Sequence, residues 1–202
     1  MVPCAGRSQR LALLACLLAS GCYLGSAKST TPAELAGEGG WEVIETVPEV
    51  RQVAREDCGA AALAMVLNYW GRPVTLDEIG RAGLPDSDRG FKAALLRDLA
   101  VRQGLQAFLI QGQPDDLERE IHRHHPVLVG VMKRHFFRNY PHYEVVVGVN
   151  RQKQRVLTLD PAHGLRVNGS DAFATEWAKA GHLTLVIFPQ IAALRVVANP
   201  DK

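Results

Sequence analysis

Residues 52–67 read QVAREDCGAAALAMVL, a polar stretch that ends in a cysteine and continues directly into an alanine-rich apolar run. The run predicts a helix that begins near Cys58 and ends at Gly71, with Pro73 just beyond it. A thiol at a helix N-terminus lies among unpaired backbone N–H groups, where the helix dipole favours the reactive thiolate. We therefore interpret Cys58 as a nucleophile whose partners must come from the rest of the chain.

The remaining sequence places most helices before most strands. Thr75 to Glu78 has the spacing of a capping box and predicts a short second helix. Further helices are predicted at 91–103, 113–124 and 170–178, strands at 105–110, 127–132, 142–149, 155–160 and 182–188, and a polar loop at 133–141. This order indicates an α+β fold in which an N-terminal helical half packs on an antiparallel sheet.

Composition and charge indicate a globular protein and argue against a nucleic-acid binder. Of 202 residues, 47% are hydrophobic and 22% charged, which is typical of a globular protein. Without Arg7 and Arg10, which lie in a segment that we expect to be removed, 21 basic residues balance 21 acidic ones. A neutral chain lacks the basic surface of a nucleic-acid binder, so we predict no nucleic-acid partner.

The N-terminus has the pattern of an export signal. Two arginines precede a short apolar run, and Ala19-Ser20-Gly21-Cys22 follows it. This end resembles a bacterial lipobox, which predicts a signal peptide at 1–21 and lipidation of Cys22. A plain secreted protein is the alternative. We expect a tether and lead-in at 22–44, a catalytic domain at 45–190, a tail at 191–202, and an anchor in the outer membrane facing the periplasm.

Two residues near strand ends are suited to assist the thiol. His142 begins one predicted strand and Asp160 ends the next, and a short connection at 150–154 joins the two strands. In an antiparallel pair, both residues therefore lie at the same end and can share a face. A cysteine nucleophile needs a base and a group that orients the base, which His142 and Asp160 can supply. Gln52 and the Cys58 backbone N–H can form an oxyanion hole.

The motifs QVAREDCGAAALAM, HYEVVVGV and TLDPAHG together resemble the bacteriocin-leader peptidases, over roughly residues 45–190. That family consists of papain-like cysteine peptidases found at the N-terminus of ABC transporters, where they cut after a Gly-Gly leader. The resemblance implies a papain-like fold, with Cys58 as nucleophile, His142 as base, Asp160 as its orienting group and Gln52 as oxyanion donor. It also implies a peptide substrate, no cofactor and no metal.

Several features depart from that family's pattern. We expect a free-standing exported module, which makes a separate export transporter a possible partner. Glu144 replaces an apolar strand residue on the same face as His142, where it can tune the base or face solvent. A non-catalytic lipoprotein that binds a peptide or partner is the alternative function, and acyl transfer to an amine is a third. The histidines at 122, 124 and 125 lack a spaced carboxylate or thiol, so we interpret them as a solvated helix end.

Overall fold

The structure is a computed structural model that describes residues 27–82, 90–135 and 138–190. No helix in these ranges is long and apolar enough to cross a membrane. In chain order the elements are β1 (Lys28–Ser29), α1 (Pro32–Glu38), β2 (Glu42–Val43), α2 (Cys58–Tyr69), α3 (Leu76–Ala82), α4 (Ala93–Arg102), β3 (Leu105–Gln111), α5 (Pro114–His122), β4 (Val127–His135), β5 (Arg138–Asn150), β6 (Arg155–Asp160), β7 (Gly164–Gly169), α6 (Ser170–Ala178) and β8 (Leu183–Pro189).

The strands form a single antiparallel sheet with the order β1-β7-β6-β5-β4-β8-β3, and β2 pairs separately with β5. Strands β4 to β7 are consecutive hairpins, so the centre of the sheet follows chain order. Strand β8 returns to the far side of β4, and β3 closes that edge. The sheet and the preceding helices confirm the predicted α+β class.

Helix α2 is the most deeply buried helix, because each of its first ten residues, from Cys58 to Leu67, is buried. Its small side chains let the helix lie close against β5. At Gly59 an added Cβ would lie 3.1 Å from both the Phe91 Cβ and the Tyr143 Cδ2. The glycine after the cysteine is therefore needed for this close approach, and it sets the distance between the start of α2 and the sheet.

The structure corrects one predicted loop and adds one strand. The loop predicted at 133–141 is wrong over most of its length, because β4 continues to His135 and β5 already begins at Arg138. Lys133 tolerates burial in β4 because it pairs with carboxylates inside the protein. Strand β7 was not predicted, because GLRVNG contains no run of apolar residues.

Within the predicted tether and lead-in, residues 28–43 form β1, α1 and β2 against the sheet. Leu35 on α1 is buried, Arg155 lies 2.8 Å from Glu38, and the Asn150 side chain donates to the Gly39 carbonyl at 2.9 Å. These contacts are long-range and leave no periodic pattern in so short a segment. The predicted signal peptide, Cys22 and the tail at 191–202 lie outside the described residues.

Candidate active site

The thiol of Cys58 lies at the first residue of α2, directly after a 3-10 turn at Arg55–Asp57. Asp57 Oδ2 accepts a hydrogen bond of 2.8 Å from the Ala54 N–H, which closes this turn and holds the chain before the helix. Cys58 is 5% exposed and is the one free cysteine among the described residues. The sulfur is therefore held by rigid structure rather than by a mobile loop.

His142 on β5 lies between the thiol and a carboxylate. Its Nε2 is 2.9 Å from Asp160 Oδ1 on the neighbouring strand β6, and it also shares a hydrogen bond with Cys58. Because Nε2 faces Asp160, Nδ1 is the ring nitrogen left for the sulfur. The structure thus brings together, in one buried row, three residues that the sequence separates by more than 80 and by 18 positions.

Asp160 is held by more donors than the sequence indicated. Oδ1 also accepts a hydrogen bond from the Ala162 N–H at 2.8 Å, and Oδ2 lies 3.1 Å from His163 Nδ1. Burial by itself would raise the pKa of Asp160, but its hydrogen bonds to His142 and Ala162 and the positive charge of His142 hold that pKa well below its usual range. Asp160 is therefore a fixed negative charge. His163 lies in the TLDPAHG motif, but no spacing rule predicts its contact with Asp160.

His142 is charged at neutral pH because of these neighbours. Burial would lower the pKa of His142, but the hydrogen bonds to Asp160 and Cys58, with the charges of Asp160 and Glu144, raise it to about 10. A resident imidazolium beside the sulfur stabilises a thiolate. This arrangement suits nucleophilic attack by the sulfur followed by proton donation from the ring.

Gln52 is joined to the same site through its backbone. The Gln52 N–H donates to the Pro161 carbonyl at 3.1 Å, which ties the loop before α2 to the end of β6. The Gln52 Nε2 donates to the Ala54 carbonyl at 3.1 Å, and a primary amide has a second N–H for another acceptor. Gln52 Oε1 is buried without a hydrogen-bond partner. The second N–H of this amide is therefore available to another acceptor.

Two tyrosines flank His142. Tyr140 lies edge-on to the imidazole with ring centroids 6.3 Å apart. The Arg55 guanidinium lies 4.5 Å from the centroid of the Tyr140 ring. Tyr143 points to the other face, where its hydroxyl donates to the Phe91 carbonyl at 3.0 Å. Burial and the nearby Cys58 raise the pKa of Tyr143 to about 12, so the tyrosine stays neutral. Tyr140 therefore lies against the imidazole, whereas Tyr143 is turned to the other face of β5.

Glu144 is fully buried rather than facing solvent. Its carboxylate, a nitrogen of His142 and an oxygen of Asp160 lie within 4.8 Å of one another, as ligands of a metal ion would. However, the Lys133 ammonium lies 2.7 Å from Glu144 Oε1, and Asp160 already accepts hydrogen bonds from three groups. The carboxylate oxygens that would bind a metal ion therefore already have protein partners. The absence of a metal stays a prediction.

A papain-like cysteine peptidase is the class that this fold defines: a helix presents a cysteine to a histidine on an antiparallel sheet. The sequence profile of the Peptidase C39 family matches residues 46–189, so the chain belongs to this family. Membership and fold together support a cysteine peptidase. They confirm the resemblance to the bacteriocin-leader peptidases.

Three similar proteins illustrate the relationship. The lactococcin-A transport/processing ATP-binding protein LcnC of Lactococcus lactis subsp. lactis is 28% identical over 134 residues, which are 62% of this chain and 17% of the transporter. The chain thus spans less than a fifth of that relative's length. A double glycine motif protease from an AMS/PCAT transporter, solved with a leader peptide, is 25% identical with a TM-score of 0.58, covering 72% of this chain and 93% of that one. A putative C39-like peptidase from Bacillus anthracis shares the fold at 17% identity, with a TM-score of 0.61, covering 73% and 97%.

Proposed function

We propose that this protein is a cysteine endopeptidase that uses Cys58 as nucleophile, His142 as acid and base, Asp160 as the orienting group and Gln52 as oxyanion donor. The observation that carries the proposal is the buried row of contacts from Cys58 through His142 to Asp160. A nucleophile, a base within hydrogen-bond reach and a third group that orients the base are the parts that covalent catalysis requires.

The reaction follows from the charge state of these groups. The Cys58 thiolate attacks the peptide carbonyl carbon, and the developing oxyanion accepts hydrogen bonds from the Cys58 N–H and the free donor of Gln52. His142 gives its proton to the leaving amine as the C–N bond breaks, which leaves a thioester. The neutral ring then takes a proton from water, whose oxygen attacks the thioester and releases the acid and the thiolate.

We further propose a substrate that carries small residues such as Gly-Gly before the cleaved bond. Support comes from the transporter peptidase solved with its leader peptide, which is described as a double glycine motif protease. The lactococcin-A transport/processing protein is a second relative with a processing role. A transporter encoded beside this chain, or a small Gly-Gly precursor, would supply the partner that such a specificity needs.

The setting of the reaction is also a proposal. We infer export, acylation of Cys22 and anchoring in the outer membrane facing the periplasm, supported by the basic, apolar and small-residue order of residues 1–22. Palmitate labelling of the wild-type chain and of a Cys22→Ala variant in a bacterial host tests the lipidation. Label in the wild type alone is expected, and equal label in both would contradict it.

The catalytic proposal is tested by cleavage of a peptide with an internal Gly-Gly, analysed by mass spectrometry. The wild-type protein should cut after the glycines, and Cys58→Ala should not cut at all. Cys58→Ser, which replaces the thiol with a hydroxyl of similar size, is the matched control for folding and binding. Equal cleavage by Cys58→Ala would refute the mechanism. Tight peptide binding without cleavage by the wild type would favour the non-catalytic alternative, and a product joined to an amine would reveal acyl transfer.

A further inference from the structure

Three buried charged side chains lie next to the proposed catalytic residues. The register of β4 and β5 pairs Val131 with His142 and Val129 with Glu144, so Lys133 and Glu144 share the face of His142. Lys133 Nζ lies 2.7 Å from Glu144 Oε1 and 2.6 Å from Glu176 Oε2, which reaches down from α6. We call Glu144, Lys133 and Glu176 the buried ion cluster.

Stability alone does not account for the buried ion cluster. The side chains of Lys133 and Glu144 are 0% exposed, and that of Glu176 is 12% exposed. Transferring such charges from water costs several kcal/mol per ion, and apolar replacements of similar size are often as stable or more stable. Two carboxylates around one ammonium also leave a net negative charge inside the protein. A buried group of this kind beside a reactive histidine suggests a role in the chemistry.

Glu144 is the member of the cluster that reaches the catalytic pair. Its carboxylate oxygen, a ring nitrogen of His142 and an oxygen of Asp160 lie within 4.8 Å of one another, a group that does not include Glu176. Lys133 Nζ lies 2.7 Å from Oε1 of this carboxylate and holds it in place. The imidazolium therefore faces two carboxylates, one bonded directly to it and one held by a lysine.

We propose that Glu144 is a positioning residue: its buried carboxylate, held by Lys133, keeps the ring of His142 protonated and aligned between Cys58 and Asp160. The inference rests on the peptidase mechanism proposed above and adds a residue that acts through His142 rather than on the substrate. The ionisable groups around His142 come from every element packed there: Asp160 on β6, Cys58 on α2, Lys133 on β4, Glu144 and Tyr140 on β5, Glu176 on α6, His163 after β6, and Arg55 against Tyr140.

The expected effect of Glu144→Gln follows from the sign of the lost charge. The variant removes a negative charge from beside the imidazolium and leaves the Lys133 ammonium nearby, so His142 loses its proton at lower pH. A unit charge about 5 Å away, at the effective dielectric of protein sites, shifts such a titration by on the order of two pH units. Glu144→Asp keeps the charge and should restore most of the wild-type behaviour.

The test measures how fast iodoacetamide alkylates Cys58 in the full chain between pH 4 and pH 11. Mass spectrometry of the tryptic peptide 56–81 makes the readout specific to Cys58. The wild type should show one step where the thiolate–imidazolium pair forms and a second where His142 loses its proton. Glu144→Gln should move the second step down by about two pH units. Glu176→Gln, which removes a charge from the same lysine but farther from His142, should move it by less than half as much.

The outcomes separate this inference from the proposed function. A single step typical of an ordinary thiol in the wild type would refute the ion pair, and with it both proposals. Two steps in the wild type, with the second unmoved in folded Glu144→Gln, would refute the role of Glu144 alone. An equal shift in Glu176→Gln would also refute a specific role. If Glu144→Gln does not fold by circular dichroism, Glu144→Met removes the same charge with a side chain of similar length, and an unmoved second step in that variant overturns the inference.

Discussion

The most informative perturbation is the replacement of Asp160 by Asn, compared with its replacement by Ala. Asn is nearly isosteric with Asp, so its Oδ1 can still accept from His142 Nε2 and from the Ala162 N–H, at the 2.9 and 2.8 Å seen for the carboxylate. Its Nδ2 replaces Oδ2 and can donate to Nδ1 of His163. The geometry thus survives and only the charge is lost, whereas Ala removes all three contacts.

The two variants should therefore differ in magnitude. A hydrogen bond to a charged group contributes about 1.5–3 kcal/mol and a neutral one about 1 kcal/mol, so Asp160→Asn should lose about 1–1.5 kcal/mol, or roughly tenfold in kcat/KM. Asp160→Ala leaves buried donors without partners and the ring without an orienting group. We expect a loss of about 3–4 kcal/mol, which is roughly 100- to 1,000-fold.

The assay is kcat/KM for a Gly-Gly peptide at pH 7, with the exposed Asp171→Asn as the matched control that should behave like the wild type. Circular dichroism confirms folding of each variant. If Asp160→Asn lost as much activity as Asp160→Ala, the negative charge rather than the orientation of His142 would be the contribution of Asp160. If neither variant lost activity, Asp160 would have no part in the reaction.

Two further predictions concern residues around the thiol. Gln52→Ala should lower kcat by about 100- to 1,000-fold, because an oxyanion donor acts mainly in the transition state. The Kd for the peptide, compared between Cys58→Ala and Gln52→Ala/Cys58→Ala, should change little. A change in Kd without a change in kcat would contradict this role. Gly59→Ala should destabilise the fold by about 1–3 kcal/mol in urea unfolding, because the new Cβ meets Phe91 and Tyr143 at 3.1 Å. Gly80→Ala on α3, where nothing lies within 4 Å, is its control and should not destabilise.

Local patterns predicted most of the elements that carry the site. The capping box at Thr75–Glu78 forms as expected, with Glu78 Oε2 accepting from the Thr75 N–H at 2.7 Å. The hairpin between β5 and β6 turns where the sequence indicated, so His142 and Asp160 do meet on adjacent strands. Such features depend on residues close in sequence or on the two-residue alternation of a strand, and both are visible without a structure.

Polar strands and the N-terminal segment could not be predicted in this way. The sequence around Lys133 predicts a loop because a lysine in a core is costly, and the carboxylates of Glu144 and Glu176 make its burial tolerable. Strands β1 and β2 are two residues long and are defined only by pairing with β7 and β5. Neither fact has a local signature, because each partner lies more than ten residues away.

The sequence by itself determined which residues are available: a cysteine placed to begin an apolar helix, a histidine opening a strand, an aspartate closing the next one, and a glutamine six residues before the cysteine. These are matters of residue type and short-range spacing. Only the tertiary structure decided how they meet and how they are charged, because the pKa of His142 depends on burial, on Asp160 and on Glu144. Electrostatic interactions act through space between distant parts of the chain, so they exist only after the helix has packed on the sheet.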